Sequence, residues 1–283
     1  MFFRRFLPLL LCLSLNGHAA TFTFTAIPDQ DETLLRTRFG QVADYLSQRL
    51  GTDVAYVPVK SYAAAVGAFR NNQVQLAWFG GLSGVRARQL VPASEAIAQG
   101  EEDRSFQTYF IANTRTGLEP TEDLSTLSGD LSFAFGSKGS TSGRLMPEFH
   151  LRQQLSKAPQ DWFHRVGFSG DHSRTIALVQ SGAYDLGAVN FKVWERELKE
   201  GRIDTDKVKV IWKTPPYPDY QWTIRGDVDA TWGEGFKAKV TRALLEMDDP
   251  ALLAAFPRSG FIPARNADYQ PIEAVARELG LVD

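Results

Sequence analysis

Two hydrophobic periods alternate between residues 21 and 81, and this alternation restricts the fold more than any other feature. Strand-like segments occupy residues 21–27 (TFTFTAI), 54–59 and 74–79 (VQLAWF). Between the first two, apolar residues recur at helical spacing from Leu34 to Leu50, and Gly51 stands where a helix ends. A short helix is predicted at 62–70. The order strand, helix, strand, helix, strand predicts an α/β lobe with a parallel sheet.

The same order of elements recurs later in the chain without any repeated sequence. A strand at 108–112 leads into a polar stretch that we interpret as a crossing, and a proline-rich passage at 214–220 (TPPYPDY) is interpreted as the crossing back. The predicted organisation is a first lobe at 21–113, a second lobe at 114–213, and a return to the first lobe with C-terminal helices at 214–283. Ligands of open α/β sheets bind beyond the carboxyl ends of strands, so a central cleft between the lobes is the expected site.

The first twenty residues differ from the rest of the chain. Arg4 and Arg5 precede an apolar run at 6–15, and small residues follow it, which is the pattern of a cleaved signal peptide. The run is too short for the roughly 20 residues that span a bilayer. Cys12 is the single cysteine of the sequence and lies in this segment, so the mature chain has no thiol and no disulfide. These features predict export to a periplasm.

The charge balance excludes several partners. Of 31 basic residues, the loss of Arg4 and Arg5 leaves 29 against 33 acidic residues, a net charge of −4. A mildly acidic protein has no general attraction for nucleic acid or anionic membranes. An anionic ligand would therefore need a local site.

A candidate for such a site is the stretch GSKGSTSGRL, from Gly136 to Leu145. Ser140, Thr141 or Ser142 can cap the helix predicted at 141–155. A cap needs one hydroxyl residue, whereas this stretch has three in a row among three glycines. Free N–H groups, hydroxyl donors and the helix dipole can together hold an oxyanion without a net positive charge. Capping alone and anion binding both remain open from this stretch.

Other candidate residues also have structural alternatives. His172 begins the next predicted helix, after Asp171 as a possible cap, and its imidazole can donate to an anion or serve a structural role. Tyr62 and Phe79 come from the first lobe and can close over a small ligand, or pack in the core. Phe79 and Asn190 both stand at predicted strand ends.

Signatures of catalysis are scarce in this sequence. It lacks the G-x-S-x-G elbow, the phosphate-binding loop ending in Gly-Lys-Ser/Thr, the Rossmann glycine triplet and the His-Glu-x-x-His motif. The histidines of the mature chain, His150, His164 and His172, have no metal-ligand spacing. We therefore expect no cofactor, no metal and no catalysis. An enzyme on this scaffold would need His172 with Asp171 as its reactive pair, and a sensor lobe that signals to a partner protein is a third hypothesis.

Four ordered motifs give the chain a family resemblance. The segments KSYAAAVGAFRNNQVQLAWFGG, GSKGSTSGRLMPEF, FSGDHSRTIALVQSGAYDLGAVN and RSGFIPA resemble the periplasmic phosphonate/phosphite-binding proteins of ABC importers. The resemblance implies the two-lobed fold of a type II periplasmic binding protein, with a hinge, which closes on a tetrahedral oxyanion and then meets a membrane permease. A monomer is expected.

The resemblance also assigns roles to individual residues. It implies that the phosphonate oxygens are bound by Ser140, Thr141, Ser142 and His172. A first-lobe tyrosine maps onto Tyr62, and a second aromatic position maps near Phe106, where a phenol hydroxyl is missing.

The ligand chemistry departs from the phosphonate binders of that family in one respect. They carry acidic residues for an amino group on the ligand, whereas the corresponding segment here, GAVNFK, offers Asn190 and Lys192, with no carboxylate before Glu195. Donors without an acceptor favour a fully ionised oxyanion. Together with TPPYPDYQWTIRGD, this segment is similar to the branch of the family described as selenate-binding. The expected ligand is thus a small tetrahedral oxyanion: phosphonate, phosphite or selenate.

Overall fold

The computed structural model describes residues 20–282. The predicted signal peptide at 1–20, with Cys12, lies outside the described residues except for Ala20, which is exposed. Within the described part of the chain, no helix has the length and apolar character needed to span a membrane.

The strands of residues 20–282 form two sheets. They are β1 (Phe22–Ala26), β2 (Val54–Tyr56), β3 (Leu76–Phe79), β4 (Glu95–Gly100), β5 (Thr108–Asn113), β6 (Ser132–Phe135), β7 (Arg165–Phe168), β8 (Leu186–Asn190), β9 (Val208–Lys213), β10 (Gln221–Ile224) and β11 (Phe261–Pro263). The first sheet has the order β11-β4-β10-β3-β1-β2, and the second has the order β7-β6-β8-β5-β9. Each sheet is the centre of one lobe.

Helices cover these sheets. They are α1 (Glu32–Leu50), α2 (Tyr62–Arg70), α3 (Gly81–Leu90), α4 (Met146–Leu155), α5 (Pro159–Trp162), α6 (His172–Gln180), α7 (Phe191–Lys199), α8 (Val228–Trp232), α9 (Phe236–Leu245), α10 (Pro250–Leu253) and α11 (Gln270–Glu278). A π-helical turn at Thr141–Leu145 leads directly into α4. Short 3-10 helices lie at Glu101–Ser105, Thr114–Thr116, Leu124–Thr126 and Asn266–Tyr269.

Local signals explain where α1 begins and ends. Asp31 caps its first turn by accepting a hydrogen bond from the Leu34 N–H at 3.0 Å. At the other end Gly51 has φ +67°, a left-handed conformation that glycine adopts without strain. The helix predicted from Leu34 to Leu50 is therefore confirmed, with its first turn beginning at Glu32.

The prediction of a parallel sheet in the first lobe is only partly right. β1 pairs in parallel with β2 and β3. β10 pairs antiparallel with both β3 and β4, and β11 pairs antiparallel with β4. The sheet is mixed because β10 enters it from the second lobe and so runs against its neighbours. Helical crossovers within one lobe produce parallel neighbours, but a strand returning from elsewhere does not have to.

The crossing into the second lobe also falls earlier than the boundary after residue 113. β5 pairs with β8 and β9, so Thr108–Asn113 belongs to the second sheet. The chain crosses between Gly100, at the end of β4, and Thr108. There Phe106 pairs antiparallel with Tyr217 of the returning segment, through reciprocal N–H to carbonyl bonds of 2.8 and 3.0 Å. The two connections between the lobes thus form a short ladder.

The cores follow from the strand pattern. In the first lobe, aromatic rings of β1, β3 and β10 pack together: Trp222 lies edge to face against Phe24 and tilted against Trp78. In the second lobe, β5 sends Phe110 to one hydrophobic cluster and Ile111 to another, because successive strand residues face opposite sides of a sheet. Both faces of this sheet are covered, and the strand ends are left for polar contacts.

Candidate functional site

The candidate site lies where the carboxyl ends of strands from both lobes meet the crossing segments. β3 ends at Phe79 and leads through Gly80 into α3, and β6 leads into the loop before Ser140. β8 ends at Asn190, beside the first turn of α6. The returning segment adds Asp219 and Tyr220 just before β10.

The hydroxyl stretch combines capping with free donors. Ser140 caps the helical turn, since its Oγ accepts from the Gly143 N–H at 2.9 Å, which confirms the predicted cap. Thr141 Oγ1 reaches the first lobe and accepts from the Leu82 N–H at 3.0 Å. Ser142 Oγ is buried and has no partner of ordinary hydrogen-bond geometry among the described residues, although it lies close enough to Tyr217 to lower the pKa of that phenol. Beyond the cap, the Thr141 hydroxyl thus links the second lobe to the first.

Gly143 allows this close packing. A Cβ at this position would lie 2.9 Å from Ser140 Oγ and 3.1 Å from the His172 ring atom Cε1. Any other residue would push the hydroxyl stretch away from the imidazole. Gly143 is therefore explained by the close approach of Ser140 to the His172 ring.

His172 is held as a neutral donor. It is the first residue of α6, after the cap residue Asp171, and its side chain is completely buried. Its Nδ1 accepts a hydrogen bond from the Asn190 backbone N–H at 3.2 Å, so the ring proton must lie on Nε2. Burial lowers the pKa of His172 to about 3. Nε2 is buried without a partner within residues 20–282, which leaves its N–H for a ligand.

Tyr62 supplies a buried phenol from the first lobe. It begins α2, which Ser61 caps, and its side chain is 2% exposed. Its hydroxyl has no partner of ordinary hydrogen-bond geometry in the described part of the chain, although Ser140 lies close enough to lower its pKa. Burial dominates and raises the pKa of Tyr62 well above its usual value. The phenol is therefore a neutral donor.

A carboxylate that sequence reasoning missed, that of Asp219, lies beside Thr141 and the start of α3. Asp219 Oδ1 accepts from the Gly81 N–H at 2.8 Å, and Oδ2 is buried without a partner among residues 20–282. Burial raises the pKa of Asp219 to about 7, against the lowering effect of hydrogen bonds from the Gly81 N–H and the Thr141 hydroxyl. The expectation of donors without an acceptor considered only the chain after Asn190, whereas this carboxylate comes from the returning segment. The available signal was the acidic residue in TPPYPDY.

Asn190 has a positioning role in the structure. Its Oδ1 accepts from the N–H groups of Lys192 and Val193 and so caps α7. Its Nδ2 donates to Tyr220 Oη at 3.0 Å, and Tyr220 donates in turn to Asp29 Oδ2 at 2.9 Å. Both lobes and the returning segment are linked through this tyrosine.

The two predicted phenylalanines pack as hydrophobic residues. Phe79 is fully buried, with its ring edge to face against Phe69 in the core of the first lobe, and the N–H groups of α3 reach the cleft instead. Phe106 is fully buried between Phe191 and Tyr220. Phe106 has no phenol hydroxyl, but Tyr217 packs beside its ring and carries one. The Tyr217 Oη lies 2.6 Å from Thr108 Oγ1.

A buried ion pair next to Phe106 stabilises the segment that connects the first lobe to the second. Arg258 donates to Asp103 through Nε at 2.7 Å and Nη2 at 2.8 Å, and both side chains are almost completely buried. Its guanidinium also lies 5.3 Å from the ring centre of Phe106 and 5.1 Å from that of Tyr220. The pair joins the first crossing segment to the C-terminal part of the first lobe.

The side chains of the assembled site are buried between the two lobes. Ser140, Thr141 and Ser142 are between 1% and 2% exposed. The two lobes touch directly, as in the Ser83 Oγ to Gly139 carbonyl bond of 2.9 Å. Within residues 20–282 no cluster of His, Cys, Asp or Glu is arranged to hold a metal. Neutral donors with one titratable acceptor suit a small oxyanion that shares a proton.

This chain has two α/β lobes, two connecting segments that pair with each other, and a buried polar site between the lobes. This arrangement is that of the two-lobed substrate-binding proteins. Such proteins bind ligands without catalysis. Within this class, the chain belongs to the family described as "ABC transporter, phosphonate, periplasmic substrate-binding protein", whose model matches residues 24–269.

Individual relatives agree with this family. The chain is 40% identical over 264 residues to the "probable ABC transporter phosphite binding protein PhnD1" of Prochlorococcus marinus, covering 91% of this chain and 89% of the relative. The solved structure of that organism's PhnD1 with methylphosphonate superposes with a TM-score of 0.89, covering 93% of this chain and 99% of the other, at 40% identity. A phosphonate transporter binding component from Pseudomonas aeruginosa, at 22% identity, has the same fold, with a TM-score of 0.79 and coverages of 90% and 85%.

Proposed function

We propose that this chain is the periplasmic binding component of an ABC importer for a small phosphorus oxyanion that carries one proton in the complex, either phosphite or methylphosphonate. The family and the ligands named for the Prochlorococcus relative support the importer and the ligand class. The residues that we assign to the anion are Tyr62, Ser140, Thr141, Ser142, His172 and Asp219. Asn190, Phe79 and Phe106 have supporting roles.

The observation that carries the proposal is the unpartnered Oδ2 of Asp219, whose pKa is raised to about 7 by burial. A carboxylate beside a bound dianion is repulsive unless the pair shares a proton. Phosphite and phosphonates lose their second proton near neutral pH and can provide or accept this proton. The site then presents an acceptor to a protonated oxygen and donors to the others.

The same chemistry argues against selenate and sulfate. Both ions carry no proton at neutral pH, so they would meet Asp219 without a shared hydrogen unless the carboxyl group itself is protonated. The hypothesis of a fully ionised ligand depended on a site made of donors alone, and Asp219 removes that condition. A hydrogen-bonding mismatch of this kind is an effective way to reject an ion of the same shape.

The enclosure favours a small substituent on phosphorus. The residues that we assign to the anion are buried, and the lobes contact each other at and near them, through Asp29 with His172 and Ser83 with Gly139. A hydrogen atom or a methyl group fits an enclosed site better than a long chain, which would hold the lobes apart. We further propose a monomer that is exported by its cleaved signal peptide and delivers the anion to an inner-membrane permease.

A panel of ligands tests the proposal. The mature protein is mixed with phosphite, methylphosphonate, 2-aminoethylphosphonate, phosphate, sulfate or selenate, and binding is followed by calorimetry and melting temperature. We expect phosphite or methylphosphonate to bind most tightly. At 100 times the dissociation constant the ligand adds about 2.7 kcal/mol of stability, or roughly 5 to 10 °C for a protein of this size. Equal affinity for selenate, or binding of none of the six, would contradict the proposal.

A further inference from the structure

Four hydrogen bonds form a closed circuit around one side of the site. Tyr220 Oη donates to Asp29 Oδ2 at 2.9 Å, and Asn190 Nδ2 donates to Tyr220 Oη at 3.0 Å. The Asn190 backbone N–H donates to His172 Nδ1 at 3.2 Å, and the His172 backbone N–H donates to the Asp29 carbonyl at 3.1 Å. All four residues are buried.

The chemistry of the groups sets the direction of the bonds. Asn190 Oδ1 accepts from two backbone N–H groups at 2.8 and 3.2 Å, so its other amide atom must be the Nδ2 donor. Tyr220 Oη therefore accepts from Asn190 and gives its single proton to Asp29. Its hydrogen atom is already in use, so Tyr220 acts on the site through its neighbours.

The circuit spans the whole hinged assembly. Asp29 follows β1 in the first lobe, Asn190 and His172 belong to the second lobe, and Tyr220 lies in the returning segment. Gln30, the next residue of the same loop, accepts a hydrogen bond from Arg196 of the second lobe. These bonds can form only when the two lobes are together.

We propose that Asp29 and Tyr220 are positioning residues that couple lobe closure to the orientation of His172. Closure brings Asp29 to Tyr220 and to the backbone of His172, and Tyr220 holds Asn190 where its N–H meets Nδ1. The proton of the imidazole is thereby kept on Nε2, directed at the anion. This inference rests on the proposed function, because it concerns the presentation of the same anion site.

A double-mutant cycle in the mature protein tests the coupling, with methylphosphonate and phosphite as probes. Tyr220→Phe removes the hydroxyl and should raise the dissociation constant about tenfold or more, as expected for a lost hydrogen bond to a charged group. In a His172→Ala background the same change should have little further effect, because Tyr220 acts through His172. Asp29→Ala should weaken binding similarly, whereas Asp29→Asn keeps an acceptor and should restore most of the affinity.

Two further measurements separate positioning from general stability. In the anion-saturated wild type, ¹⁵N spectra of the histidine side chains should show His172 neutral with its proton on Nε2, and Tyr220→Phe should broaden or shift this signal. Tyr45→Phe is the matched control, since it removes a 2.7 Å bond to the Ala243 carbonyl inside the first lobe. It should lower the melting temperature without changing the affinity or the His172 signal.

The outcomes distinguish the two proposals. Wild-type protein that binds neither probe overturns the proposed function, and the inference with it. Wild-type protein that binds, with Tyr220→Phe binding equally well, overturns the inference alone. The inference is also overturned when the effects of Tyr220→Phe and His172→Ala simply add, because additive effects indicate that the two residues act independently.

Discussion

Replacing Asp219 by Asn changes how the anion affinity depends on pH. Burial raises the pKa of Asp219 from 3.8 to about 7, so at pH 8 about ten carboxylates are ionised for each one that is protonated. The bound pair of carboxylate and oxyanion should hold one proton. At pH values above the pKa of both Asp219 and the oxyanion, binding must take up that proton from solvent. The dissociation constant of the wild type should then rise about tenfold per pH unit, which is a loss of about 1.4 kcal/mol of binding free energy.

The Asp219→Asn variant should lose this dependence. An amide at position 219 can donate from Nδ2 where the carboxylate could only accept, so a fully ionised anion binds without proton uptake. Its dissociation constant for methylphosphonate should become flat between about pH 8 and pH 9, and its affinity for sulfate should increase. The Gly81 N–H keeps an acceptor in the amide Oδ1, which makes the variant a conservative change of shape.

Titration calorimetry from about pH 6 to pH 9, in buffers of different ionisation enthalpy, measures both the affinity and the number of protons taken up. Asp31→Asn is the matched control, because Asp31 caps α1 outside the site. A wild-type dissociation constant that stays constant above pH 8, or an Asp219→Asn variant with the wild-type slope, would refute the shared-proton mechanism.

The same variant has a consequence without ligand. The folded pKa of Asp219 is higher than the unfolded value, so its contribution to stability is complete below pH 3.8 and is lost as pH rises through about 7. The loss amounts to at most about 4 kcal/mol. Thermal unfolding of the ligand-free protein should therefore be less sensitive to pH between about 4 and 7 in Asp219→Asn than in the wild type.

Three further variants probe the site and the crossing. His172→Gln keeps a side-chain N–H and should retain more affinity than His172→Ala in calorimetry. Because burial lowers the folded pKa of His172 to about 3, its contribution to stability is lost as pH falls from about 6.5 to 3. In urea unfolding, the Gln variant should therefore lose less stability than the wild type over this pH range. Ser142→Ala should weaken anion binding about tenfold while leaving the ligand-free melting temperature nearly unchanged, because its hydroxyl has no partner among the described residues; a large drop in that temperature would contradict this role. Arg258→Ala leaves the buried Asp103 carboxylate unpaired and should cost about 3–5 kcal/mol of unfolding free energy in urea titrations, whereas a cost below about 1 kcal/mol would show that solvent reaches the pair.

The local elements were predictable because their signals are close together in sequence. The helix at Tyr62–Arg70 has its cap at Ser61, and the hydroxyl run caps the helical segment that begins at Thr141, with Ser140 as the cap. Such caps involve neighbours three residues apart, which are in contact whenever the helix forms. The two-lobed architecture followed from the alternation of strands and helices together with the family resemblance, and matches the solved relatives.

The helices and strands, the two lobes and the capped hydroxyl stretch can be inferred from the amino-acid order, since each depends on periodicity or on contacts a few residues apart. The mixed first sheet, the crossing before Thr108 and the acceptor in the site depend instead on how distant segments pack. Asp219 meets Gly81 across a separation of 138 residues, and no local pattern records such a pairing. Burial, which brings the pKa of Asp219 to about 7, likewise exists only after the lobes have packed around the carboxylate.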